Sequence, residues 1–187
     1  MKNKNGNTIY FYPTNSDVTI IANNINKSAQ TYREKLVGKN FLILYEGNSV
    51  EVMFKANNFL HLCGVETQLF PDRFFRKAAN PQKGVTPREI GFSKDHPLAL
   101  ASVKTANLED ALSMLSKEAF IVTDIITQTR LNNGQSPFKM GTTDLNIVIC
   151  FDHATDEHGL IRNAFLIPYS LRVEDIDNSR FNDMYSI

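Results

Sequence analysis

The sequence predicts an α+β domain: N-terminal helices packed on a C-terminal four-stranded antiparallel sheet. Three observations carry this. Apolar residues recur at helical spacing through much of the first 117 residues. The last third turns instead to short runs rich in branched residues. Short polar turns link those runs, and strands joined so tightly must pair antiparallel. A chain of 187 residues with 42% apolar content and 13 Phe is long enough for a real core.

Residues 1–15 read as a flexible arm with a short strand at Thr8–Tyr12, and residues 16–187 as a single domain. Ser16 and Asp17 signal a helix start. Ile21, Ile25, Ala29, Tyr32 and Leu36 follow on one face, and Gly38 fits the stop. Phe41–Tyr45 is a strand, Glu46-Gly47-Asn48 a turn, and Ser49–Lys55 a second strand with Val50, Val52 and Phe54 on one face. Asn57 or Asn58 caps a short helix bearing Phe59, Leu60 and Leu62, ended by Gly64. Residues 71–79 form a short basic helix with Phe74, Phe75 and Ala78 inward and Arg73, Arg76 and Lys77 outward. Pro81, Gly84 and Pro87 mark a loop. Two helices are expected next, Leu98–Thr105 and Leu108–Lys117, the second capped by Asn107. Ile121–Thr129, Phe138–Thr142, Leu145–Phe151 and Leu160–Pro168 are the four strands, with turns at Asn132-Asn133-Gly134 and Asp156-Glu157-His158-Gly159.

Composition narrows the function. Net charge is zero, which weighs against a general duplex-DNA binder. The charge is uneven, however: residues 72–89 hold five basic against two acidic residues, and residues 106–126 one against four. Cys63 and Cys150 make neither a disulfide framework nor a zinc set and read as buried thiols in a reducing compartment. No apolar run reaches the ~18–20 residues of a membrane span, and no signal-type apolar segment follows the basic N-terminus. A cytoplasmic protein with no membrane association is expected.

His61 is the conspicuous residue, one imidazole in the apolar run Phe59-Leu60-His61-Leu62-Cys63. Burying it demands a partner, so it is either a hydrogen-bonded structural residue or a group placed for chemistry. A Cys63–His61 catalytic pair is disfavoured, because i,i+2 residues point to different sides of a helix. Ser170 lacks the glycines of a hydrolase elbow. The acidic and histidine residues from Asp152 to His158 match no metal-binding spacing and read as a solvated turn, so no metal or cofactor is expected.

Metal-free cleavage of RNA fits the residues present. RNA carries its own nucleophile, the 2′-OH, tethered beside the scissile phosphate. The protein need supply only a base, an acid and donors to the phosphate oxygens. His61 is the candidate acid or base, with Lys139, Thr143 and Ser170 as further catalytic candidates and Arg73, Arg76, Lys77 and Arg172 as phosphate or RNA contacts. Phe138–Thr143 reads as a strand edge where backbone approaches a ligand. Each has a plainer alternative: a solvated helix face for Arg73, Arg76 and Lys77, exposed strand residues for Lys139 and Thr143, a helix cap for Ser170.

Three segments, Val52–Val65, Phe74–Ala78 and Phe165–Ile176, together resemble the fourth phage family of the Barnase–EndoU–Colicin–RelE (BECR) nuclease superfamily. The elements carrying the likeness are Asn58-Phe59-Leu60-His61-Leu62-Cys63-Gly64, the aromatic-rich Phe74-Phe75 helix and Pro168-Tyr169-Ser170-Leu171. The resemblance implies a metal-independent RNA-cleaving fold of phages and mobile genetic elements, acting as toxin or effector. It gives His61 the acid or base role and Arg76 a phosphate contact, and sets Lys139, Thr143 and Ser170 on or beside the sheet. RNA is then the expected partner. A host or phage protein partner is the alternative, for a domain that keeps the fold without activity, such as an inhibitor of a host defence nuclease. A nucleotide-modifying enzyme such as an ADP-ribosyl transferase is a third, weaker reading.

Overall fold

The computed structural model describes residues 1–3, 5–113, 120–128, 135–155, 158 and 160–186, without the side chains of 128, 135, 136, 162–164 and 186. In chain order the elements are β1 (Tyr10–Phe11), α1 (Ser16–Lys35), β2 (Asn40–Tyr45), β3 (Asn48–Met53), α2 (Phe59–Cys63), α3 (Pro71–Ala78), β4 (Gly91–Phe92), α4 (Leu98–Ser113), β5 (Phe120–Gln128), β6 (Gln135–Thr143), β7 (Ile147–Thr155), β8 (Ile161–Val173) and β9 (Met184–Ser186). They fall into two compact units: Met1–Leu36 with Ala56–Leu112, and Val37–Lys55 with Ser113–Ile187.

The first unit is mainly helical. α1 starts where Asn15 Oδ1 accepts the Asp17 amide at 2.7 Å, an N-cap one residue ahead of the expected start. Its buried stripe of Val18, Ile21, Ala22, Ile25, Ala29 and Tyr32 follows the helical period. Tyr32 meets Phe59 of α2 and Phe75 of α3, with ring centroids 5.2 and 5.5 Å apart, and Phe59 meets Phe75 at 5.4 Å. Gly64 ends α2 in the left-handed region, at φ 66°. The described residues before α1 are bound into this unit: Lys2 bridges Thr8, and β1 pairs with β4.

α4 corrects the expectation of two helices. It runs unbroken from Leu98 to Ser113, and Asn107 lies inside it. The Asn107 amide donates to the Val103 carbonyl four residues back at 2.8 Å, so the side chain joins the helix instead of capping a new one. Residues 114–117 of the expected second helix lie outside the described residues.

The second unit is a curled sheet of seven strands, not four, in the order β2-β3-β8-β7-β6-β5-β9. The expected four-stranded meander is its centre. The β2–β3 hairpin, closed by Glu46 and Gly47 at φ 40° and 77°, extends one side. It joins through Val52 opposite Leu166, the one parallel pairing in the sheet among the described residues. The three-residue β9 adds to β5 at the other side. Curling brings the outer strands together, with the rings of Tyr45 and Tyr185 5.0 Å apart. Val148, Ile149, Cys150 and Phe151 are all fully buried, so both faces of β7 are covered there. The turns expected at 132–134 and at Asp156, Glu157 and Gly159 lie outside the described residues.

Candidate functional site

In the helical unit, one turn of α2 sorts the apolar run. Phe59, Leu62 and Cys63 are buried, while His61 is exposed. Residues i, i+3 and i+4 share a face, and that face is the one α2 buries. Cys63 donates to the Phe59 carbonyl at 3.3 Å. Burial pushes its thiol up, only partly offset by Lys104, so Cys63 is an inert core residue. α3 presents Arg73 and Arg76 outward. Arg76 pairs with Asp72 one turn back, and Lys77 pairs with Glu89 at 2.5 Å. The α3 cations thus form a basic face, partly engaged by local carboxylates.

In the sheet unit, Thr143, Ser170 and Arg172 share one face. Thr143 lies opposite Val148, which lies opposite Arg172, and Cys150 lies opposite Ser170. This face is packed: Val148 and Cys150 belong to a core cluster with Val122, Ile125, Phe138 and Ile176. Ser170 is 7% exposed and sits inside β8, so the helix-cap alternative for it falls. The fully buried Thr143 hydroxyl donates to the Ile147 carbonyl at 2.7 Å and accepts the Leu145 amide at 2.8 Å, stapling the β6–β7 turn. Arg172 is half-buried, and its Nε has no hydrogen-bond partner among the described residues. Lys139 is exposed, 3.7 Å from Asp124. Gly141 is on an interior strand rather than an edge. A Cβ there would lie 2.6 Å from Val148 Cγ2, so its smallness makes room for the core.

The eight sequence-derived candidates therefore divide evenly. His61, Arg73, Arg76 and Lys77 belong to the helical unit, and Lys139, Thr143, Ser170 and Arg172 to the sheet unit. Within the second set three lie along one packed face, while Lys139 is exposed to solvent.

A model of the phage-Barnase-EndoU-ColicinE5/D-RelE like nuclease 4 family matches residues 24–187. The chain belongs to this family. The match runs from within α1 through β9 and includes every candidate residue. No curated protein and no solved structure matches the chain. Membership identifies a phage-type BECR nuclease domain. Among the described residues of this family member, no three His, Cys, Asp or Glu side chains gather as a metal site, and no helix is long and apolar enough to cross a membrane.

Sequence reasoning missed a second histidine. His96 Nδ1 lies 3.1 Å from Glu66 Oε1, in the same unit as His61. Thirty residues separate the pair, so no local motif announces it. The only sequence signal was two adjacent polar residues, Asp95-His96, just ahead of Pro97.

Proposed function

We propose that the chain is a metal-independent ribonuclease of a phage or mobile genetic element, acting in the cytoplasm as a toxin or effector. The observation that carries this reading is the exposure of His61 on a helix whose other side is buried, with Phe59 packed against Tyr32 and Phe75, within a chain of a nuclease family. A rigid one-turn helix holds an imidazole toward solvent, as general acid–base chemistry requires. In the reaction, the 2′-oxygen attacks phosphorus as its proton leaves to a base. The P–O5′ bond breaks, and the 5′-oxygen gains a proton from an acid. The products are a 2′,3′-cyclic phosphate and a 5′-hydroxyl. His61 serves as acid or base, and Arg73, Arg76 and Lys77 supply cations to phosphate oxygens. In the sheet unit, Lys139 and Arg172 are further cations for RNA phosphates, and Ser170 contributes by packing in the core. Thr143 serves by holding the β6–β7 turn.

The test is cleavage of RNA in the presence of a chelator. His61→Ala, at an exposed position, should fold as the parent does and lose on the order of 10²-fold or more in rate. A folded His61→Ala that cleaves at the parent rate removes His61 from the mechanism.

A protein-binding role is the second reading, and β2 favours it. Leu42 and Leu44 project from this outer strand, 65% and 66% exposed. Co-purification of a host or phage protein, lost in Leu42→Ser/Leu44→Ser, together with absence of RNA cleavage, would support this second role.

A further inference from the structure

His96 is built as a catalytic base is built. Glu66 follows α2 by three residues and is pinned by its own backbone: its amide donates to the Gly91 carbonyl at 2.9 Å, and the Gly91 amide donates back at 2.8 Å. Its Oε1 accepts Asn3 Nδ2 at 2.8 Å and Ser93 Oγ at 2.8 Å, and lies 3.1 Å from His96 Nδ1. The backbone that carries His96 is fixed too. The Ser93 amide donates to the His96 carbonyl at 3.0 Å, and the His96 amide donates to Ser93 Oγ at 3.2 Å. The neighbouring Asp95 Oδ2 is held by Asn3 at 3.1 Å and by Asn5 and Asn7 at 2.8 Å each. The carboxylate side is thus largely enclosed, with Glu66 14% exposed, while the imidazole remains 41% exposed. Among the described residues, Nε2 has no hydrogen-bond partner. A carboxylate against Nδ1 fixes the ring with Nδ1–H inward and the Nε2 lone pair outward. The imidazolium that forms on taking a proton is then stabilised by the adjacent negative charge.

We propose that His96 is the general base of the RNA-cleaving reaction, with Glu66 as its positioning residue and His61 as the acid. The assignment rests on the ribonuclease reading above. His96 Nε2 takes the 2′-OH proton as the 2′-O–P bond forms. His61 gives its proton to the departing 5′-oxygen as the P–O5′ bond breaks. Glu66 keeps its charge throughout. Chain continuity permits the pairing: His61 and Glu66 are five residues apart, a span of at most about 18 Å even when fully extended.

The experiment compares the parent, His96→Asn, Glu66→Gln and His61→Ala on two substrates in chelator: single-stranded RNA, and a nucleoside 3′-(4-nitrophenyl phosphate). The aryl leaving group departs without protonation, so it needs a base and no acid. Asn at 96 keeps an amide near the Nδ1 position for Glu66 and removes only the Nε2 function, which separates chemistry from folding. His96→Asn should lose on the order of 10²-fold or more on both substrates. His61→Ala should lose on RNA and be spared on the aryl ester. Glu66→Gln should lower kcat and leave KM unchanged. If the parent is active and His96→Asn matches it on both substrates, the base assignment is overturned while the ribonuclease reading stands. Loss on RNA alone makes His96 the acid and also overturns it. A parent inactive on both substrates overturns the ribonuclease reading and this assignment with it.

Discussion

Gly64→Ala tests how α2 and its histidine are held. Gly64 sits at φ 66°, and a Cβ built there lies 2.7 Å from Lys104 Cδ. Two costs follow. An L-residue in the left-handed region is strained by about 1–2 kcal/mol. The clash adds to it, because Lys104 is only 4% exposed and has little room to yield; overpacking of this kind costs about 1–3 kcal/mol. The sum, about 2–5 kcal/mol, is a large share of a typical ~5–15 kcal/mol stability. At ~2–4 °C per kcal/mol for a chain of this size, the melting temperature should fall by about 4–20 °C. Thermal unfolding followed by circular dichroism reads this directly. Lys104→Ala separates the terms, since it deletes the atom that is struck. In that background Gly64→Ala should cost only the backbone strain, and the double-mutant cycle should return the difference as coupling. Equal costs in both backgrounds would refute the packing argument. A shift below about 1 °C in the parent background would refute both terms.

Other perturbations have defined outcomes. Phe59→Ala empties the fully buried site between Tyr32 and Phe75 and should cost about 3–5 kcal/mol in denaturant unfolding. Gly141→Ala pushes a methyl against Val148 and Val122 in the sheet core and should cost about 1–3 kcal/mol, relieved by Val148→Ala. Stability should also fall in acid. Burial raises the Glu66 carboxyl, but hydrogen bonds from Asn3, His96 and Ser93 carry it below its ordinary 4.5. Asp95, held chiefly by Asn5, lies below its ordinary 3.8. Carboxyls depressed by folding stabilise the native state above their unfolded values and release that stability as pH falls through the folded ones. Melting temperature should therefore drop below about pH 4.5, and Glu66→Gln should flatten that drop. Lys139→Ala, at an exposed and loosely paired site, should leave stability within ~0.5 kcal/mol of the parent and weaken RNA binding.

The elements legible in the sequence were those whose cause is local. α1 has a long apolar stripe, the β2–β3 turn has Glu46-Gly47, and α2 has its terminating Gly64; each signal lies within the element it defines. The extra strands had no such signal. β9 is three residues long, and β3 joins β8 across more than a hundred residues of chain. Asn107 misled because its side chain bonds back to Val103, a choice that composition does not reveal. At the candidate site, the motif around His61 was readable because neighbouring residues carry it. Its exposure was decided by which side of one helical turn the core claims. The Glu66–His96 pair is made by the Glu66–Gly91 bridge, a contact that only folding creates. Ser170 and Thr143 illustrate the reverse. Their hydroxyls looked available in the sequence, yet the core cluster and the β6–β7 turn enclose them.

The central claim is that this nuclease-family chain cleaves RNA through the 2′-hydroxyl with no metal. The most direct measurement is to incubate the parent protein with single-stranded RNA in chelator and identify the new ends by mass spectrometry. The account predicts 2′,3′-cyclic phosphate and 5′-hydroxyl ends, formed on the order of 10²-fold or more slowly by His61→Ala. Intact RNA, or ends bearing 3′-hydroxyl and 5′-phosphate, would contradict it.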